Sequence, residues 1–161
     1  MYLIDVERDK IPVGVFPGLN EWLDDMNSYR SNPVSFTLAI EDDVAVGVCV
    51  HEPGHIIYLV VAETERRQGV GTTLVKNVLN AHKGSTWLRV NPYDTMAVCF
   101  FSRLGGVVDR VHIADDDVTG GAYHRMVLGT KSKRATPPEE TSLVHYLANT
   151  PVFVSVAGKI V

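Results

Sequence analysis

Val61-Ala-Glu-Thr-Glu-Arg-Arg-Gln-Gly-Val-Gly-Thr-Thr-Leu74 joins an apolar run to an amphipathic segment through two closely spaced glycines. The apolar run Ile56 to Val61 leads into it and reads as a buried strand. Arg66-Arg-Gln-Gly-Val-Gly follows, and Val70 to His82 then carries the apolar spacing of an amphipathic helix. A strand, a glycine turn and a helix N-terminus in that order form an anion cradle. Gly69 and Gly71 have no Cβ, so the backbone there can take positive φ and approach a ligand closely. The first N–H groups of the helix have no internal partner. The helix dipole adds partial positive charge, and Arg66 and Arg67 add full charges. A pyrophosphate fits such a site; the bland alternative is an ordinary strand-to-helix turn with two glycines. Two familiar phosphate loops fail on single residues. No lysine follows Gly71, as a P-loop requires. Leu74 stands where the dinucleotide fingerprint needs its third glycine.

What remains, Arg66-x-x-Gly69-x-Gly71-x-x-Leu74, resembles the acetyl-CoA pyrophosphate loop of the GNAT superfamily of N-acetyltransferases. Leu88 to Gly106 is similar to the superfamily's second motif, in which a strand ends in Asn and a helix carries Asn-x-x-Ala-x-x-Phe-Tyr before Leu-Gly-Phe. Val90, Asn91, Ala97, Phe100, Leu104 and Gly105 match. Asp94, Phe101 and Gly106 depart, standing where Asn, Tyr and Phe are usual. The resemblance spans about residues 33–129. It implies a GNAT-like acyl-CoA N-acyltransferase fold of the α/β class, a mixed and mostly antiparallel central sheet with helices on both faces. It implies that the fourth and fifth strands splay, with CoA in the gap. It implies acetyl-CoA as the cofactor, an amine as the acceptor and direct transfer between them. Cofactor contacts are then expected from Leu59, Val60 and Val61 of the strand, and from Arg66, Arg67, Gln68, Gly69, Val70, Gly71 and Thr72 of the loop. Asn91, Asp94 and Phe101 of the second motif complete the set.

Acetyl transfer to an amine requires that the amine be neutral, so a base or a water relay must take its proton. The thioester oxygen needs a hydrogen-bond donor, implied by the resemblance to be the backbone N–H of Val60 or Val61. His55 lies fourteen residues before Gly69, a position resembling that of the catalytic glutamate in superfamily histone acetyltransferases. An imidazole suits that task. It also adjoins the turn Glu52-Pro53-Gly54, where a solvent-exposed histidine is equally at home. His51, His112 and His124 are weaker candidates, and Glu63 and Glu65 read as loop residues. Phe101 has no exchangeable proton, which leaves the acid role to water, to Tyr93 or to Tyr123. The alternative is a catalytically silent acyl-CoA-binding or interaction module of the same fold. Cys99 reads as a helix residue before a nucleophile, and Asp94 as an N-cap. Asp115, Asp116 and Asp117 form an acidic loop that either attracts an ammonium group or is simply solvated.

Composition sets the outer bounds. At 161 residues the chain suits one domain with an adequate core. The net charge is −4, with residues 130–161 at +2 and the rest at about −6. That balance disfavours nucleic acid, which needs a basic surface, and suits a cationic amine. No apolar run approaches the roughly 18 residues of a membrane span. The first residues lack a basic region followed by an apolar core, so a cytoplasmic protein is expected. Two cysteines suit free thiols, and no Cys/His cluster has zinc spacing, so no metal is expected. Strands are predicted at Tyr2 to Val6, Phe36 to Glu41, Val44 to His51, Ile56 to Val61, Trp87 to Asn91, Gly106 to His112 and Tyr123 to Leu128. Helices are predicted at Leu19 to Tyr29, Val70 to His82 and Tyr93 to Leu104. Residues 1–129 are assigned to the acetyltransferase domain. Residues 130–161 read as a linker with a short helix and strand, packing on their own domain or on a second subunit. A monomer and a homodimer both remain open.

Overall fold

The computed structural model describes residues 1–12, 14–16, 18–27 (backbone alone at 25–27), 34–113 and 122–129. The chain divides into two compact units, Met1–Lys83 and Gly84–Val161. The acidic loop at 115–117, the predicted end of the first helix at Tyr29 and the extension at 130–161 lie outside the described residues.

The first unit is an antiparallel meander of β1 (Tyr2–Val6), β2 (Ser35–Glu41), β3 (Val44–Glu52) and β4 (His55–Val61). Helix α1 (Leu19–Asn27) lies between β1 and β2 in sequence, and α2 (Val70–Ala81) follows β4. The β2–β3 turn is two residues long because Asp42 and Asp43 both take positive φ, 48° and 60°, which suits the right-handed twist of a hairpin. Alternation sorts the side chains onto two faces. Phe36, Leu38, Val48 and Val50 pack with Leu19 and Leu23 of α1, and with Ile11 and Phe16. Gly47, on the opposite face, lies against α2. A Cβ there would sit 2.9 Å from Val70 Cγ1 and 3.0 Å from Leu74 Cδ1, so the missing side chain sets how closely the helix docks. Helices thus cover both faces of this unit, as expected. Helix α2 buries Val70, Leu74, Val75 and Val78, and Leu79 is half-buried. Two short 3-10 helices, Arg8–Lys10 and Glu63–Glu65, are too brief for periodicity to anticipate.

The second unit holds β5 (Thr86–Val90), α3 (Thr95–Arg103), β6 (Val107–His112) and β7 (Tyr123–Leu128). β7 pairs antiparallel with both β5 and β6. Thr86, Leu88, Val90, His124, Met126 and Leu128 are buried, again by alternation. Helix α3 starts at Thr95 and not at Tyr93 because the Asp94 side chain accepts the Ala97 N–H at 3.0 Å and caps it. With seven strands and three α-helices among the described residues, the mixed α/β class and the mostly antiparallel pairing stand. Among the described residues no helix is long and apolar enough to cross a membrane.

Candidate active site

The cradle is built as the local chemistry dictates, with one exchange of roles. Gly69 is the residue before α2 and takes φ 89°, the left-handed region open to glycine. Nothing lies within 4 Å of where its Cβ would be, so the loop faces open space. Gly71, expected to share that conformation, is instead the second residue of α2, because the helix has already begun. The second left-handed residue of the loop is Arg67, at φ 67°. A non-glycine residue held there is uncommon and costs on the order of 1 kcal/mol, which marks the loop as conformationally constrained.

The side chains around the turn hold that shape. The Gln68 amide donates to the Thr64 carbonyl at 3.2 Å and to Glu65 Oε2 at 3.0 Å, so it braces the preceding 3-10 helix. Arg66 Nε reaches back to the Val61 carbonyl at 3.4 Å. The Thr73 N–H and hydroxyl both bond the Gly69 carbonyl, at 2.9 Å and 3.1 Å. Arg66, Arg67, Gln68 and Gly69 are exposed, and Gly71 and Thr72 are half-buried, while Val70 is packed inward. An N-terminal helical turn with two exposed arginines therefore stands at a glycine-lined opening.

A bulge changes the reading of β4. Tyr58 pairs with Val50 and Ile56 with His51, so Ile57 is an extra residue without a partner on β3. Plain alternation would put His55 and Tyr58 on opposite faces. The bulge restores them to one face: His55 stands beside Glu52, Tyr58 beside Val50, and Glu52 and Val50 share a face of β3. His55 is 7% exposed, which corrects the expectation of a solvent-exposed hairpin histidine. Its Nδ1 lies 2.9 Å from Glu52 Oε1. An ionised carboxylate can only accept, so Nδ1 then carries the proton and Nε2 the lone pair. Trp22 of α1 stacks on Tyr58 at 4.6 Å between ring centres. Burial and the nearby Glu21 carboxylate together raise the Tyr58 pKa, keeping its hydroxyl protonated. Leu59, Val60 and Val61, half-buried, pair with Cys49, Val48 and Gly47 of β3.

The other nucleophiles and bases have structural employment. Burial pushes the Cys49 thiol up to about 12, which leaves it inert. His51 Nε2 lies 2.9 Å from Thr37 Oγ1, whose hydroxyl donates to Asp5 Oδ1 at 2.6 Å. Burial lowers the His51 pKa, against an opposing pull from Asp5. Burial also lowers that of His124, which has no exposed surface. His112 stacks on Tyr123. Among the described residues no group of three or more His, Cys, Asp or Glu could hold a metal ion.

The second-motif residues lie in the second unit. Asn91 Oδ1 accepts the Tyr93 N–H at 2.9 Å, and the Asn91 carbonyl accepts the Asp94 N–H at 3.0 Å. Asn91, Tyr93 and Asp94 are exposed on this turn. Phe101 is 6% exposed and meets Phe100 edge-on, so it contributes packing. Sequence reading had missed Glu52 as a partner of His55, although an acid three residues from a histidine across a Pro-Gly turn was a usable signal. It also missed Trp22 beside Tyr58, which only the docking of α1 reveals.

The model of the acetyltransferase (GNAT) family matches residues 4–105. No curated protein sequence matches the chain. Among solved structures, the ribosomal-protein-S18-alanine N-acetyltransferase of Escherichia coli is similar, with a TM-score of 0.60 at 14% identity, covering 84% of this chain and 97% of that one. A GNAT family acetyltransferase of Elizabethkingia anophelis with acetyl-CoA bound gives a TM-score of 0.59 at 15% identity, covering 78% and 97%. Nourseothricin acetyltransferase gives 0.53 at 20% identity, covering 59% of this chain and 64% of that protein. At these identities the likenesses concern the fold.

Proposed function

This chain belongs to the acetyltransferase (GNAT) family, and from that premise we propose that it is an N-acetyltransferase that uses acetyl-CoA to acetylate a primary amine. The observation that carries the reading is the cradle: left-handed Gly69 opening on space, Arg66 and Arg67 exposed beside it, and the N-terminus of α2 behind it. These residues fit a pyrophosphate, because unpaired N–H groups and positive charge converge where no side chain intrudes. Bound acetyl-CoA supplies an activated acetyl group as a thioester. Arg66, Arg67, Gln68, Gly69, Val70, Gly71 and Thr72 hold its phosphates, and the backbone of Leu59, Val60 and Val61 orients its arm. Asn91, Asp94 and Phe101 belong to the second motif by resemblance. Two of them are tied into a turn and the third is packed, so their share is to shape the β5–α3 turn more than to grip the ligand.

His55 is the base in this reading, and Glu52 fixes its tautomer. His55 and Val61 lie at opposite ends of β4, roughly 20 Å apart at about 3.3 Å per residue. Both cannot touch one carbonyl. Leu59 is the implied backbone position nearest His55, and its N–H is assigned as the donor to the thioester oxygen, with Val61 serving the arm near the cradle. A relay of water molecules carries the amine proton to His55. Water returns a proton on departure of the thiol; Tyr93, exposed in the second unit, remains the expected alternative. The free thiols Cys49 and Cys99 suit a reducing cytoplasm.

The test is release of free thiol from acetyl-CoA on addition of primary amines, with a matching acetyl mass gain on the amine. Saturable turnover of an amine supports the reading. Binding of acetyl-CoA without turnover across a broad amine panel would leave a silent acyl-CoA-binding module.

A further inference from the structure

The outward face of the second unit's sheet is ordered in rows. On β7, Tyr123, Arg125 and Val127 alternate with the buried His124, Met126 and Leu128, so they share the opposite face. Register adds their neighbours: Trp87 and Val107 beside Val127, Arg89 and Arg110 beside Arg125, and His112 beside Tyr123. An apolar row, an arginine row and an aromatic row therefore follow one another, about 7 Å apart at about 3.4 Å per residue. The arginine row sets like charges directly opposite each other, an arrangement that is unfavourable until anions offset it. Asp109 offsets one of them, accepting from Arg125 Nε at 2.8 Å and from its Nη2 as well. Arg89 is held by rings, 4.3 Å from the centre of Tyr123 and 5.9 Å from that of Trp87. Stacking of this kind leaves the N–H edge of a guanidinium available to an anion. Arg110 is exposed, and among the described residues no carboxylate is paired with Arg89 or Arg110. Val107, at 45% exposure, leaves the apolar row open.

We propose that this face docks the chain's own segment 138–147, Pro-Glu-Glu-Thr-Ser-Leu-Val-His-Tyr-Leu. Glu140, Leu143, Val144 and Leu147 have the i, i+3, i+4, i+7 spacing of one helical face, and Pro138 suits the first turn of such a helix. Glu139 and Glu140 are the only acidic side chains of residues 130–161, and they stand at the head of that stripe. On a helix the step from Glu140 to Leu143 and Val144 is about 5 Å at 1.5 Å per residue, close to the step from the arginine row to the apolar row. The acids meet Arg89 and Arg110, while Leu143, Val144 and Leu147 meet the apolar row. β7 ends at Leu128, just past the apolar row, and residues 129–137 can span up to about 30 Å, ample for the return to the arginine row. Other occupants fit less well. Asp115, Asp116 and Asp117 are followed by Val118-Thr-Gly-Gly and bring no helical apolar stripe with them. A second copy laid on this face about a twofold axis would set arginine row against arginine row. The docking is independent of acetyl transfer.

Hydrogen exchange of the full-length protein tests the dock. Amides of Leu143 to Leu147 are expected to exchange roughly tenfold or more slowly than in a free peptide of residues 136–149. Arg110→Glu should speed them about fivefold, the scale on which an exposed ion pair is reversed. Arg110 is exposed and faces a like charge, so that variant is expected to fold, and thermal melts check it. Arg103→Glu, on α3, makes the same change of net charge at an exposed position away from the rows, and should leave the exchange unmoved. Exchange at the free-peptide rate in the wild type, or equal effects of Arg110→Glu and Arg103→Glu, would overturn the dock. Protection that rises with protein concentration would overturn it too, because the segment would then lie on a second copy.

Discussion

At the scale of single residues, His55 shows how local context converts a residue type into a candidate role. An imidazole beside a turn is ordinary, but one that is 7% exposed and 2.9 Å from a carboxylate is oriented. Its placement was half legible in the sequence: the spacing to Gly69 singled it out, yet the adjoining turn suggested a solvent-exposed histidine where the structure buries one. The bulge at Ile57 could not be read locally, because an extra residue is defined only against the partner strand. His55→Gln keeps volume and hydrogen bonding but removes the base, and kcat is expected to fall about a hundredfold, the usual contribution of general base catalysis. Glu52→Gln should lower kcat less and leave KM nearly unchanged, since it disturbs orientation only. Steady-state kinetics of both variants check this, and a His55→Gln enzyme with full kcat would remove the imidazole from the mechanism.

At the scale of elements, α2 does two jobs with one set of contacts. Its buried stripe docks it on the sheet, and that docking aims its N-terminus at the loop. The stripe and the glycine turn were legible because helical spacing and the absence of Cβ are both written in the local residues. The division of labour between Gly69, Gly71 and Arg67 was not, because it depends on the residue at which the helix begins. Gly47 is the contact that ties these jobs together, with Val70 and Leu74 at 2.9 Å and 3.0 Å from its would-be Cβ. Gly47→Ala forces the first turn of α2 outward, and overpacking of this kind costs about 1–3 kcal/mol. Thermal unfolding should show a midpoint lower by several degrees, together with weaker acetyl-CoA binding. An unchanged midpoint would mean that α2 docks more loosely than these distances require.

At the scale of the whole molecule, half-buried His51 and buried His124 contribute to the response to acid. Burial lowers the pKa of His51, against an opposing pull from Asp5, and that of His124, so in the folded protein both take up protons less readily than a free imidazole. In the unfolded chain they protonate near about 6.5. The unfolded state therefore binds more protons than the folded state, and stability falls as pH drops below about 6.5. Denaturant melts between neutral and mildly acid pH check the sign, and greater stability at the acid end would contradict it. The order of strands and helices and the family were legible from two motifs and from periodicity, whereas the stack of Trp22 on Tyr58 was not, since it joins residues far apart in sequence. In the proposed reaction the loop from Arg66 to Thr72 holds the pyrophosphate of acetyl-CoA. Its most direct test is calorimetric titration of acetyl-CoA into the wild type and into Gly69→Glu, with thermal melts confirming that the variant folds. Saturable binding at a single site per chain, lost in the folded variant, is the predicted result; no binding by the wild type, or equal binding by both proteins, would contradict it.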